Sequence, residues 1–201
     1  MFIVAFRKTH DGTGSIDRFP VKVPRATAVR GLKGALLLLV WLGETLRSTR
    51  DADLLGFGDL SEETLAEVFR SIGTIDVEPD GVDFDPESIR VTPIRQEDPY
   101  GGTRITLTGH LGAARLRVQV DVGIGDAPTP EPNWLEYPSL LDLPKPRLRA
   151  YRPETVIAEK VHAMMVLGSK NSRMKDFFDV YALAEHGPSR GALCLTRFAP
   201  R

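Results

Sequence analysis

Asp51 and Asp53, in the stretch STRDADLL, stand two positions apart at the edge of an apolar segment. In extended chain successive side chains alternate faces, so the two carboxylates point one way while Ala52 and Leu54 point the other. Like charges held side by side repel, and a bound divalent cation is the usual remedy. A third acid lies further on. In ARLRVQVDV (residues 114–122), Leu116, Val118, Val120 and Val122 share one face and leave Arg117, Gln119 and Asp121 on the other. If that strand lies beside the one carrying Asp51 and Asp53, the three acids form a set of Mg2+ ligands, and a basic carboxylate near the metal can accept a nucleophile's proton. Such clusters serve nucleotidyl transfer, and they equally serve phosphohydrolases and nucleases.

Other chemistries are excluded by what the chain lacks. Its one cysteine, Cys194, rules out an internal disulfide and the multi-cysteine zinc patterns. Histidines 10, 110, 162 and 186 show neither HxH nor HExxH spacing. No nucleophile elbow is present, and HDGTGS is not a phosphate loop because no GK[ST] follows it. Trp41 and Trp134 read as packing residues. The longest apolar run, ALLLLVWLG from Ala35, falls far short of the roughly 20 residues a membrane span needs, so a cytoplasmic location and no membrane contact are expected. The net charge of −1 conceals an asymmetry: five basic residues and no acid between Arg18 and Lys33, then fourteen acids against three arginines in residues 51–100. That pattern suits a metal site approached by a phosphate-bearing substrate, and it suits ordinary solvated surfaces as well.

The elements that must position these residues can be traced along the chain. Residues 1–25 carry no sustained period and read as an irregular N-terminal segment; 26–150 form the core, and 151–201 a helical portion completing the cleft. A buried helix is expected from Ala35 to about Leu46, entered through GLKG, and DADLLGF reads as a strand. In LSEETLAEVFRSIG, Ser61 is the N-cap, Glu62 and Glu63 occupy the first turn, Leu60 and Leu65 are placed for a staple, and Gly73 lies near the end. SIRVTPI (88–94), TRITLT (103–108) and ARLRVQVDV read as an antiparallel meander. The proline-rich stretch from GDAPTPEPNW through LPKPR reads as a long connection without an element of its own. Two helices follow. The first opens with Pro153 and stops at Gly168, with Ile157, Val161 and Met164 as its apolar stripe; the second runs from about Ser172 to His186 and is expected to bury Phe177, Val180, Tyr181 and Ala184. The whole is an α+β class fold, a mixed sheet with an antiparallel meander flanked by helices.

Several single residues suit a phosphate site. Gly34 lacks a Cβ, which would let a triphosphate approach the backbone where the following helix begins, and Ala35 after it offers no hydroxyl, so binding there would rely on backbone donors. Lys160 sits on the row Val156, Lys160, Ala163 at the margin of its helix's apolar stripe, where its stem can pack while the ammonium reaches a cleft or solvent. Asp176 and Asp179 lie one turn apart on a shared face, and Arg173 can pair with Asp176 along the helix.

Taken together and in this order, three stretches resemble one family. LKGALLLLVWLGETLRSTRDADLLGFGD resembles the first signature of the AbiEii/AbiGii toxin group of the nucleotidyltransferase superfamily, in which a glycine-containing turn opens a helix and an Asp-x-Asp follows on the next strand. PETVIAEKVHAMM is similar to the family's AEK helix and NSRMKDFFDVYAL to its R-x-K-D-x-x-D helix, so that the resemblance covers residues 31–186. It implies a nucleotidyltransferase-like fold and Mg2+-dependent transfer of a nucleotide from an NTP to a hydroxyl of RNA (a tRNA 3' end) or of protein, as the toxin of a toxin–antitoxin or phage-defence pair with a cognate antitoxin. It further implies a triphosphate contact for Lys160, nucleotide binding by Arg173 and Lys175, and a place in the active cleft for Asp176 and Asp179. A non-catalytic module that keeps the fold and binds an antitoxin, and a metal-dependent phosphohydrolase, are the rival readings.

Overall fold

The computed structural model describes residues 28–43, 49, 51–75, 81–94, 101–125, 128–138, 145–168 and 172–188. The expected irregular segment 1–25 and most of the final stretch after Gly187 lie outside them. The chain begins with strand β1 (Ala28–Lys33), a 3-10 turn (Gly34–Leu36) and the short helix α1 (Leu37–Leu42). Strand β2 (Asp51–Phe57) and helix α2 (Glu62–Gly73) follow, then the meander β3 (Val82–Ile94), β4 (Gly102–Leu111) and β5 (Ala114–Ile124). Strands β6 (Asn133–Glu136) and β7 (Arg147–Ala150) lead to the helix pair α3 (Pro153–Leu167) and α4 (Met174–His186). All seven strands join one mixed sheet in the order β3-β4-β5-β2-β1-β7-β6. Strand β5 runs parallel to β2 and β7 parallel to β1; the other neighbours are antiparallel.

Alternation decides which face of the meander is covered. On β4, Thr103, Ile105, Leu107 and Gly109 are buried while Arg104, Thr106 and Thr108 between them are half-exposed. On β5, Val120 and Val122 turn to the same covered side. Helix α2 packs chiefly against β3, reaches β4, and supplies Leu65, Val68 and Phe69 to the core. Its start follows the expected chemistry: the Thr64 N–H donates to the Ser61 hydroxyl oxygen at 3.4 Å, with Glu62 and Glu63 in the first turn. Leu37, Leu65, Ile105 and Val122 lose all solvent contact, each worth about 1.5–3 kcal/mol of transfer free energy.

The structure departs from the sequence expectations at five places. The helix expected over Ala35–Leu46 opens as a 3-10 turn and ends at Leu42, because Gly43 adopts a left-handed conformation (φ 76°) and its N–H caps the Leu39 carbonyl; residues 44–46 lie outside the described chain. GLK, read as the approach to that helix, is instead the end of β1, an inner strand between β2 and β7. The proline-rich connection contains β6, which pairs with β7; its prolines fall outside the paired positions, and the Tyr137 N–H still reaches the Pro146 carbonyl at 2.8 Å. Helix α4 is rotated from the expected face: Asp179, Ala182 and Leu183 are buried, whereas Phe177 and Tyr181 are 46% and 62% exposed and Ala184 is exposed. On α3 likewise the most buried apolar residues are Val156 and Ile157, and Val161 and Met164 are only half-buried.

A buried charge sets the rotation of α4. The Lys160 ammonium on α3 lies 2.7 Å from Asp176 Oδ1 and 2.8 Å from Asp179 Oδ2, and the Asp179 side chain is fully buried. Turning the aromatic stripe inward would expose or unpair these three groups, and an uncompensated buried charge costs several kcal/mol. Asp179→Ala should therefore lower the unfolding free energy by about 3–5 kcal/mol. Glu131, 86% exposed and 4.0 Å from Arg149, should change it by less than about 1 kcal/mol on conversion to alanine. Urea unfolding of both variants checks this, and equal effects would show that the α3–α4 clasp does not set the packing.

Candidate active site

Three strands carry the candidate site. In β1–β2 register Lys33 lies opposite Asp53, and in β2–β5 register Asp53 lies opposite Asp121 and Asp51 opposite Gln119. Residues opposed in register share a face, so Lys33, Asp53 and Asp121 stand in a row across the sheet with Asp51 one step along β2. The chain of Asp121 arrives there by a parallel pairing that no local turn could make.

Gly34 closes one side of this row. Its φ is +74°, and a Cβ there would collide with Asp53 Oδ2. The space that the sequence reading reserved for a triphosphate is thus occupied in part by the Asp53 carboxylate. The glycine is required both by its left-handed backbone and by this approach. Ala35 behind it is buried in the core. Burial pushes the Asp53 carboxyl up to about 6; Asp121 and Asp51 add to that push, while Lys33 and Lys160 oppose it. Asp53 is accordingly a site acid whose proton equilibrium lies close to neutrality.

Each remaining group has its own counter-charge. Arg104 grips Asp121 with two parallel bonds, Nε to Oδ1 at 2.8 Å and Nη2 to Oδ2 at 2.7 Å. The Lys33 ammonium is 3.9 Å from Glu159 Oε2 and 6.0 Å from the centre of the Tyr151 ring. Burial, with the Glu159 charge beside it, pushes the Tyr151 phenol up, so the ring stays neutral next to Lys33. Lys160 is held by Asp176 and Asp179 and acts on Asp53 through its field. Arg173, the residue before α4, and Lys175 in its first turn are exposed.

Sequence reasoning missed Lys33, Arg104, Glu159 and Tyr151. Arg104 had a signal: counting equal steps back from the Gly112–Ala113 turn places it opposite Asp121. Among the described residues no three His, Cys, Asp or Glu side chains are arranged to hold a metal ion, and Asp121 presents both of its oxygens to Arg104. Asp51 and Asp53 do fit a divalent cation: they are neighbouring oxygen donors on one face of β2.

Comparison with known proteins gives the family and the fold. Residues 31–199 match the family model described as Nucleotidyl transferase AbiEii toxin, Type IV TA system. The chain belongs to the AbiEii family. Two crystal structures share the fold: JHP933 from Helicobacter pylori (TM-score 0.50, 19% identity, 82% of this chain and 60% of that one) and an H. pylori protein assigned as a nucleotidyltransferase (TM-score 0.51, 20% identity, 79% and 61%). The chain spans about 60% of the length of these two proteins. Comparison with curated proteins finds no significant match. The fold expected from the sequence, a nucleotidyltransferase-like mixed sheet with a meander, is the fold observed. No described helix is long and apolar enough to cross a membrane.

The crowding of Asp53 makes a pH-dependent prediction. Its carboxyl binds a proton more tightly folded than unfolded, so the folded state gains relative stability below the ordinary carboxylate range near pH 4 and loses it as pH rises through about 6. Asp53→Asn removes that loss. The variant should be more stable than the parent by about 1–2 kcal/mol at pH 8, with the difference vanishing toward about pH 4. Unfolding midpoints measured across this range check the sign; a variant that is less stable at pH 8 and no worse at pH 4 would contradict it.

Proposed function

We propose that this chain transfers a nucleotide from an NTP to a hydroxyl of RNA, as the toxin of a toxin–antitoxin pair acting in the cytoplasm. Membership of the AbiEii family supports the reaction class, and the observation that carries the reading is the row Lys33–Asp53–Asp121 with Asp51 beside it. In this reaction the acceptor oxygen forms a bond to the α-phosphorus, the bond to pyrophosphate breaks, and the acceptor's proton must leave. That proton leaves toward the carboxylate row of Asp53 and Asp121, in which Asp121 gives both of its oxygens to Arg104. Lys33, partly exposed and close to the acids, is the cation to meet phosphate oxygens. Mg2+ held by Asp51 and Asp53 would neutralise charge on the triphosphate. Lys160 supports the site by holding α3 to α4 and by its field on Asp53.

The acceptor side of the reading rests on the open face of the meander. The row that pairs Arg104 with Asp121 continues as Thr106–Gln119, Thr108–Arg117 and His110–Arg115. Ser88, Thr106, Thr108, Arg115 and Arg117 line an open cleft of about 370 Å³ there. Asp83 and Asp85 lie in register at the outer edge, and Arg115 and Arg117 form no ion pair among the described residues. Six steps along the strand take Arg115 to Asp121, about 20 Å, room for a short run of unpaired nucleotides whose phosphates meet arginine and whose 2'-hydroxyls meet threonine and glutamine. A protein acceptor offers no such repeated charge.

The test incubates purified chain with Mg2+, each α-labelled NTP, and total cell RNA and protein. Label should appear on RNA, and Asp51→Ala should reduce it by about 10²-fold or more. Arg115→Glu with Arg117→Glu should weaken RNA labelling and flatten its salt dependence while leaving NTP binding intact. Label on protein would replace the acceptor, free pyrophosphate-less nucleotide would indicate a phosphohydrolase, and no turnover with either substrate would favour a non-catalytic antitoxin-binding module.

A further inference from the structure

Asp121 stands in register with Asp53 yet gives both of its oxygens to Arg104. The two partners are unequally exposed: the Asp121 side chain is 16% exposed on a short stem, and the Arg104 side chain is 40% exposed on a long one. A guanidinium and a divalent cation satisfy the same need, since each relieves the repulsion among Asp51, Asp53 and Asp121. They cannot both hold the two oxygens of one carboxylate at full strength. Neighbouring positive charge would also raise the cost of bringing in a metal.

We propose that Arg104 is a built-in counter-cation that competes with a divalent metal for Asp121, so that the resting chain binds metal through Asp51 and Asp53 alone. Arg104 is then a positioning residue acting through Asp121. The proposal rests on the reading of Asp51 and Asp53 as metal ligands, and its test is built to fail separately from that reading. Of the three acids, Asp121 alone is withheld, and a neutral side chain at position 104 returns it to the cluster.

Mn2+ binding to the whole chain, followed by the electron paramagnetic resonance signal of free Mn2+, reads the competition without any turnover. Arg104→Met should tighten binding by about tenfold, the size expected for releasing one carboxylate and removing one nearby positive charge. Arg104→Lys, which keeps the charge and loses the two-point grip, should give a smaller gain and guards against a misfolded methionine variant, with circular dichroism confirming the fold of each. Asp121→Asn should weaken the parent's affinity by clearly less than Asp51→Ala does, yet remove most of the gain in the Arg104→Met background. Affinity unchanged or weakened by Arg104→Met, or Asp121→Asn weakening the parent as much as Asp51→Ala does, would overturn the inference. Asp51→Ala binding Mn2+ as well as the parent would instead overturn the metal-ligand reading beneath it.

Discussion

The burial of the Asp53 carboxylate beside two further acids is the constraint on which the rest of this structure turns. Its carboxylate is covered by the 3-10 turn on one side and faces a second acid in register on the next strand. Bringing such groups together costs free energy that each neighbour offsets in part. Lys33 supplies a positive charge from β1, Gly34 supplies space, and Arg104 removes Asp121 from the competition by binding it outright. Burial is the main reason the proton affinity of Asp53 is raised to about 6; Asp121 and Asp51 add to it, and Lys33 and Lys160 offset part of it.

A second cluster is solved differently. Asp176 and Asp179 receive a single lysine in a nearly dry setting, and that trio fixes which face of α4 turns inward. Phe178, 39% exposed, and its aromatic neighbours on α4 are left outward as a result. The two clusters communicate because the Lys160 charge lowers the proton affinity of Asp53 while its own partners hold it in place. A helix pair that carries no residue of the sheet is in this way coupled to the electrostatics of the strand row.

The elements legible in the sequence were those whose cause is local. The cap at Ser61, the alternation along β4 and β5, Pro153 at the head of α3 and the DADLLGF strand each follow from residues a few positions apart. Strands β1, β6 and β7 were illegible for the opposite reason. Arg147–Ala150 and Asn133–Glu136 are four residues each, too short to show a period, and they exist because distant β1 offers an edge to β7. The face of α4 was misread because aromatic residues at helical spacing usually mark the core, and here a buried ion trio overrides them.

The candidate site divides along the same line. Asp51 and Asp53 stand out by spacing alone, and Asp121 by its place on a polar strand face. Their juxtaposition required the parallel β2–β5 pairing, which no turn encodes. Lys33 was hidden because its strand was hidden. Arg104 was not hidden in that sense: a two-residue turn fixes hairpin register, so the partner of any acid on β5 could be counted from Gly112 and Ala113. Arginine opposite aspartate in a hairpin is ordinarily a modest cross-strand pair on a solvated face. It gains a different meaning only when a third strand brings Asp53 alongside, because the same bond then decides how many carboxylates are available to a cation. That step from local pair to site chemistry is made by the non-local pairing, and it is why a complete list of acids in the sequence still misstates the charge the folded site presents.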